Sequence, residues 1–183
     1  MCQDVFYRSY LTNYEMSYFV EMTDSINSDA SWTIQTAVWR DFAELNQLEK
    51  TCFSVGDHWP FWDLLGALTL PGLVRLKAVA SGKMVGFIGA ERDALRRRGW
   101  VTTLAVLPAY QRQGIARALL AKCEMELGMS VVRLSVRASN APAISLYQSA
   151  GYALVDQWKK YYVGGETALI FEKKFDLARN DGG

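Results

Sequence analysis

The stretch of residues 99–120 constrains the fold of this chain most, because it reads as a strand, a turn and a helix in immediate succession. Residues 99–107 are apolar and rich in β-branched side chains, which is typical of a largely buried β-strand. Pro108 has no amide hydrogen to donate and therefore ends the strand. From Ile115 onward, apolar residues recur at helical spacing. The pattern predicts a buried strand that leads through a short turn into an amphipathic helix.

The turn of this unit has glycine and alanine near its helical end, in the hexapeptide Gln111, Arg112, Gln113, Gly114, Ile115 and Ala116. A loop that enters a helix in this way exposes backbone amides that have no partner within the helix. These amides and the positive end of the helix dipole favour an anion such as a pyrophosphate. The same pattern of residues also fits an ordinary strand-to-helix turn that binds no anion, so the interpretation depends on further motifs.

Two further segments carry motifs whose order and spacing relative to this turn bear on its interpretation. Val106 and Pro108 form a Val-x-Pro strand end, and residues 139–152 contain Asn140, Tyr147 and Gly151 in a second helical pattern. Together with the hexapeptide, these segments resemble the motifs of the GNAT superfamily of acyl-CoA-dependent N-acyltransferases. The resemblance covers residues 32–175. It includes protein N-terminal acetyltransferases, among them the bacterial type that modifies ribosomal-protein termini, because residues 134–140 and 161–162 are similar to theirs.

The whole chain has the size and composition of one soluble, globular domain. It has 183 residues, half of them hydrophobic, and a formal net charge of +1. The short run Arg96, Arg97, Arg98 reads as an exposed turn, so we expect no nucleic-acid partner. No apolar segment approaches the length of a bilayer span, and the N-terminus lacks the layout of a signal peptide. We expect a cytoplasmic protein without a membrane partner.

The cysteines and the single histidine argue against a metal site. Cys2, Cys52 and Cys123 are odd in number and widely spaced, and the last two lie on apolar helix faces, so we interpret them as core residues. His58 is the only histidine, which excludes a site built from several histidines. We expect no bound metal.

The order of elements predicts an α+β fold: strand, two helices, three antiparallel strands, helix, strand, helix and two strands. This is also the order of the GNAT fold, whose mixed, mostly antiparallel central sheet is flanked by helices. We assign residues 32–175 to this domain and residues 176–183 to a C-terminal tail. Residues 1–31 form a predicted helical N-terminal extension. Its aromatic stripe packs on the domain or serves a partner.

Two local details complete the predicted fold. Asp41 and Glu44 have the spacing of a capping box at the start of the first helix. The last two strands are predicted at residues 153–163 and 167–175, joined by a turn at Gly164 and Gly165.

The resemblance implies that an amine attacks the acetyl thioester of acetyl-CoA directly. The backbone of Leu104, Ala105 and Val106 would hold the pantetheine arm, and the Val106 amide would stabilise the developing oxyanion. Asn140 matches a position that contacts CoA, although an asparagine before a helix equally serves as a cap. The pyrophosphate would bind to the backbone amides of Arg112, Gln113, Gly114, Ile115, Ala116 and Arg117.

The resemblance makes Tyr147 the general acid toward the departing thiolate and a contact of CoA, although a packed helix tyrosine fits the same position. The base is less clear, because relatives place an ionisable residue where Trp100 or Ser135 stands here, and neither side chain can accept a proton. Glu91 is the nearest charged alternative, although a glutamate at a strand end is also expected simply to be solvated. His58 is a weaker candidate.

The resemblance places the acceptor amine between Phe53, Val55, Tyr161 and Tyr162. An α-amine has a pKa of about 8 and a lysine about 10.4, so neutralising lysine at pH 7 costs roughly 3 kcal/mol more. A site without a strong base therefore suits a protein N-terminus. The alternatives are a small-molecule amine, such as a polyamine or an antibiotic, and a catalytically silent acyl-CoA-binding regulatory domain. We expect a monomer or a homodimer.

Overall fold

The computed structural model describes residues 32–53 and 60–175, and the predicted order of elements is confirmed there. The predicted N-terminal extension, the C-terminal tail, Val55 and His58 lie outside the described residues. The helices are α1 (Phe42–Cys52), α2 (Phe61–Thr69), α3 (Ile115–Leu127) and α4 (Ala141–Ser149). The strands are β1 (Trp32–Thr36), β2 (Leu73–Ala80), β3 (Lys83–Asp93), β4 (Arg98–Val106), β5 (Val131–Arg137), β6 (Ala153–Trp158) and β7 (Ala168–Lys174).

Within the described residues the strands form one sheet in the order β1-β2-β3-β4-β5-β7-β6. β4 and β5 are parallel, and the other neighbouring strands are antiparallel. The α+β class and the mixed, mostly antiparallel sheet are therefore confirmed. β4 and β5 pair only where Arg98–Val101 faces Val131–Leu134, and they separate beyond that point. This separation opens a gap in the middle of the sheet.

Two apolar clusters cover the two faces of the sheet. Leu119 of α3 and Ile88 of β3 belong to one cluster, whereas Leu45 of α1 and Phe87 of β3 belong to the other. Ile88 and Phe87 follow each other in sequence, so they point to opposite faces as strand geometry requires. Cys123 is fully buried in the first cluster, and burial raises the pKa of its thiol to about 12. Its assignment to the core is confirmed.

The predicted capping box at the start of α1 is wrong. Asp41 stands at the N-cap position, but its carboxylate binds the Lys77 ammonium at 2.6 Å and accepts the Val38 amide at 2.8 Å. The Glu44 carboxylate accepts the Met84 amide at 2.8 Å. Both carboxylates have partners in the sheet: Asp41 pairs with Lys77 of β2, and Glu44 accepts the Met84 amide of β3. They attach α1 to β2 and β3 instead of capping it.

The late hairpin also differs from its prediction. β6 ends at Trp158 and β7 begins at Ala168, so residues 159–167 form a loop rather than strand ends. The backbone has positive φ at Lys160, Gly164 and Gly165, which a regular ladder does not accommodate. Tyr161 and Tyr162 therefore lie in this loop. None of the helices in the described part of the chain is long and apolar enough to cross a membrane.

Candidate active site

A cleft of about 420 Å³ opens where β4 and β5 separate. Its walls come from β3, β4, β5, α4, the residue after α1 and the loop before β7. Because these segments are distant in sequence, the fold and not a local motif assembles the cleft. Seven of the predicted site residues line it: Phe53, Glu91, Leu104, Asn140, Tyr147, Tyr161 and Tyr162.

The end of β4 presents backbone groups toward the gap. The Leu107 amide donates to the Val85 carbonyl at 2.9 Å, so it points toward β3. Successive amides of a strand point to opposite edges, and the Val106 amide therefore points toward the side of β5. The Gln111 side chain donates to the Val106 carbonyl at 3.0 Å and fixes the turn to the strand. The side chains of Ala105 and Val106 are buried, which leaves only their backbone groups to face the gap.

The turn before α3 has the backbone geometry that the sequence predicts for an anion site. Gly114 is the N-cap residue with φ 83°, and Arg112 also has a positive φ, of 64°. A Cβ on Gly114 would meet no atom within 4 Å, so the backbone conformation and not crowding favours glycine. The first helical bond runs from the Ala118 amide to the Gly114 carbonyl at 3.0 Å. The amides of residues 115–117 precede it and have no acceptor within the helix.

The Arg117 side chain has a structural partner. Its guanidinium donates to the Ser149 hydroxyl at 2.7 Å and to the Ser149 carbonyl at 3.3 Å. It therefore joins the start of α3 to the end of α4. Its backbone amide is the group that the sequence analysis assigned to the anion.

Tyr147 is buried within α4 and lines the cleft. The rings of Tyr152 and Phe171 lie 6.0 and 6.4 Å from its ring, centroid to centroid. Burial raises the pKa of the Tyr147 hydroxyl, and the nearby Tyr162 hydroxyl raises it further. The phenol is therefore protonated at neutral pH and can donate a hydrogen bond.

Glu91 brings a carboxylate into the same cleft. It lies opposite Trp100 in the register of β3 and β4, and both side chains line the cleft. Glu91 keeps an exposed surface, and its partial burial at the cleft raises its pKa, which the negative charge of Asp93 raises further. The raised pKa makes Glu91 a better proton acceptor than a glutamate of ordinary pKa.

Asn140 has the capping role that the sequence left open. Its side-chain oxygen accepts the Ala143 amide at 3.2 Å at the start of α4. Asn140 also lines the cleft, so the cap holds it at the rim where a ligand could contact it.

Sequence reasoning assigned no role to Arg137, Trp158 or Glu166, although the structure connects all three to the site. Arg137 lines the cleft, and its guanidinium lies 4.2 Å from the centroid of the Tyr162 ring. Arg137 also pairs with Glu166 at 2.7 Å. The Trp158 ring stacks on Trp100 at 5.8 Å between centroids. No local pattern marks these contacts, because they depend on how the loop after β6 folds.

Metal ligands do not gather in the described residues. Within residues 32–53 and 60–175, no three histidine, cysteine, aspartate or glutamate side chains come together to hold a metal ion.

Comparisons with known proteins agree on one family. The family model described as "Acetyltransferase (GNAT) family" matches residues 39–152. An N-alpha-acetyltransferase of Sulfurisphaera tokodaii is 35% identical over 154 residues, which cover 76% of this chain and 90% of that protein. The crystal structure of the ribosomal-protein-S18-alanine N-acetyltransferase from Escherichia coli matches with a TM-score of 0.73 and 28% identity, over 82% of this chain and 97% of that one.

A second solved structure supports the fold alone. Arabidopsis thaliana NAA60 in complex with acetyl-CoA matches with a TM-score of 0.70 and 20% identity, over 79% of this chain and 99% of that chain.

Proposed function

The chain belongs to the GNAT family of acetyltransferases, and we propose that it transfers the acetyl group of acetyl-CoA to the α-amine of a protein N-terminus. The observation that carries this proposal is the cleft between β4 and β5, which Tyr147, Glu91, Tyr161 and Tyr162 all line. The similarity to N-alpha-acetyltransferases supports the choice of acceptor. A protein N-terminus as acceptor also agrees with the cytoplasmic location that the sequence predicts.

Backbone groups of this chain suit the two polar parts of acetyl-CoA. The amides of residues 112–117 and the dipole of α3 suit the negative pyrophosphate. The edge of β4 that faces the gap suits the amides of the pantetheine arm, through Leu104, Ala105 and Val106. Held in this way, the arm runs along the gap between β4 and β5, with its thioester in the cleft.

Proton transfers at the amine nitrogen and at the sulfur accompany the reaction. Glu91 accepts the proton of the α-ammonium, directly or through a water molecule, and the neutral amine attacks the thioester carbon. The Val106 amide donates a hydrogen bond to the oxygen on which negative charge develops. As the carbon–sulfur bond breaks, Tyr147 donates its proton to the sulfur. The nitrogen then loses its second proton, which restores the Tyr147 phenol through a water molecule, and Glu91 releases its proton to solvent. The acceptor gains an amide bond, and free CoA leaves as the thiol.

The acceptor side of the cleft is aromatic. Phe53, Tyr161 and Tyr162 line it, together with Trp100. Such rings form an apolar wall for the first side chain of a peptide, while the tyrosine hydroxyls suit its backbone carbonyls. Val55, which lies outside the described residues, remains a predicted member of this wall.

A small-molecule amine is the second candidate acceptor. The combination of the Glu91 carboxylate with the Trp100 and Tyr161 rings also suits a small organic cation such as a polyamine. A catalytically silent domain is the weaker alternative, because the cleft retains both a proton donor and a proton acceptor.

The test measures release of CoA thiol with peptides of varied N-termini, polyamines and aminoglycosides as acceptors. We expect turnover with peptides, and we expect Tyr147→Phe to lower kcat by about 100-fold because the proton donor is lost. Tyr152→Phe is the matched control, since it removes the hydroxyl of a neighbouring buried tyrosine. Turnover confined to polyamines would establish the second candidate. Binding of acetyl-CoA without turnover of any amine would refute the enzymatic proposal.

A further inference from the structure

Residues 158–167 form an acceptor strap that leaves the edge of the sheet and turns back toward the cleft. Trp158 is the last residue of β6, which is the edge strand of the sheet. Its ring nevertheless stacks on Trp100 of β4, although β7 and β5 lie between these strands in the sheet order. The Trp158 ring also contacts Tyr161, which in turn contacts Tyr162. These rings bring the strap over the cleft.

Glu166 connects this strap to the segment between β5 and α4 through both its side chain and its backbone. Its carboxylate accepts the Ser139 amide at 2.9 Å and the Arg137 guanidinium at 2.7 Å. Its backbone carbonyl accepts the Tyr161 amide at 3.0 Å and the Tyr162 amide at 3.2 Å. One residue thus joins the two tyrosines of the strap to the start of the helix that holds Tyr147.

Arg137 extends this connection into the cleft. While Glu166 holds its guanidinium, Arg137 lies 4.2 Å from the centroid of the Tyr162 ring. The Tyr162 hydroxyl in turn donates to the Ser135 hydroxyl at 3.4 Å. Hydrogen bonds from Ser139 and Arg137 lower the pKa of Glu166 to about 2, so its carboxylate stays charged under ordinary assay conditions.

We propose that Glu166 is the positioning residue of the acceptor site, which fixes the strap to the β5–α4 connection and so holds Tyr161 and Tyr162 where the acceptor binds. Glu166 is not among the residues that line the cleft, so it acts through the strap and Arg137. Because α4 contains Tyr147, the same connection sets the position of the acceptor wall relative to the proton donor. The inference rests on the proposed function for the location of the acceptor site at Tyr161 and Tyr162.

The kinetic test compares Glu166→Ala and Glu166→Gln with Glu172→Ala in the full chain. Glu172 is the matched control, because it forms a similar ion pair with Arg133 between β5 and β7, and neither residue lines the cleft. We expect Glu166→Ala to raise the acceptor KM about tenfold, since charge-assisted bonds are lost, while the acetyl-CoA KM changes less than twofold. The acceptor KM of Glu166→Gln should lie between those of wild type and Glu166→Ala, because the glutamine side-chain oxygen can still accept the Ser139 amide. Glu172→Ala should leave both KM values unchanged.

Hydrogen exchange provides a readout that needs no acceptor. We expect the Tyr161 and Tyr162 amides to exchange faster in Glu166→Ala and at the wild-type rate in Glu172→Ala. Unchanged exchange together with an unchanged acceptor KM would overturn the inference, and so would a parallel rise of both KM values. If wild type acetylates only a small amine, the choice of peptide acceptor fails, and the KM comparison is made with that amine. If no amine is acetylated, the proposed function fails and the acceptor role of Glu166 fails with it, whereas the exchange result still tests whether Glu166 holds the strap.

Discussion

Two of the ionisable side chains that line the cleft, Tyr147 and Glu91, are shifted toward their neutral forms. Burial raises both pKa values, but the chemical consequences differ. A phenol that is hard to ionise stays a donor, whereas a carboxyl with a raised pKa comes closer to the pKa of the amine it would deprotonate. Burial therefore favours both Tyr147 as the proposed proton donor and Glu91 as the proposed proton acceptor.

Removing the Glu91 carboxylate should change the shape of the pH–rate profile. With Glu91 as base, the reactive pair is ionised Glu91 and the ammonium, so kcat/KM should stay level between the pKa of Glu91 and the amine pKa of about 8. It should fall below the Glu91 pKa, which lies above the ordinary 4.5, because protonated Glu91 cannot accept a proton. In Glu91→Gln only neutral amine reacts, so kcat/KM should fall about tenfold per pH unit below about pH 8.

The profile is measured with a peptide acceptor whose other groups do not titrate in this range. Asp93→Asn is the matched control, because Asp93 lies two residues along β3, pairs with Arg96 and does not line the cleft. Asp93→Asn should keep the level region, with its lower limit moved to lower pH because the charge of Asp93 no longer raises the pKa of Glu91. A level region that persists in Glu91→Gln would exclude Glu91 as the base.

Helix α3 carries the proposed anion site at its first turn and packs on the sheet along its length. At the other end, Gly128 ends the helix with φ 60°. Between these two ends, Leu119 and Cys123 are buried against the sheet, so the position of the first turn depends on the packing of the whole helix. The position of the proposed anion site therefore depends on the core beneath it.

The two glycines at the ends of α3 allow stability and binding to be separated. Gly114→Ala and Gly128→Ala both place a Cβ on a backbone with positive φ and open surroundings. Each should lower the free energy of unfolding by about 1 kcal/mol. Only Gly114→Ala should raise the acetyl-CoA KM, since only that turn faces the proposed pyrophosphate. Equal KM values in the two variants would argue against a pyrophosphate site at this turn.

At the scale of the whole molecule, helices cover both faces of one sheet, and the parting of β4 from β5 creates the cleft. α3 packs closely on the sheet: a Cβ on Gly86 of β3 would lie 3.2 Å from the Leu119 side chain. The architecture leaves little space at this contact. Stability should therefore depend strongly on side chains that have no part in the chemistry.

Leu119→Ala should lower the free energy of unfolding by about 2–5 kcal/mol, because it leaves a cavity in the fully buried centre of the core. Met125→Ala on the same helix is the control, since Met125 is 76% exposed, and it should change stability by less than about 0.5 kcal/mol. Urea unfolding of the full chain measures both values. A similar midpoint for the two variants would contradict the assigned core.

The sequence by itself determined the order of elements, the turn at Gly114 and the helix that contains Tyr147. These features depend on neighbours within a few residues, namely strand alternation, helical spacing and the need of particular turns for glycine. For the same reason the resemblance could be recognised from short motifs. The α+β class followed from the order of the elements, without knowledge of a single tertiary contact.

Only the tertiary structure decided which partners the polar side chains found. Asp41 and Glu44 have the spacing of a capping box, but partners beyond the helix, Lys77 among them, took their carboxylates. Glu166 reaches Arg137 across 29 residues, and Trp158 reaches Trp100 from the far edge of the sheet. Such long-range contacts compete in free energy with local ones, and they produce no periodic pattern of residues from which they could be predicted. The sequence therefore did not predict that the acceptor strap turns back from the edge of the sheet toward the cleft.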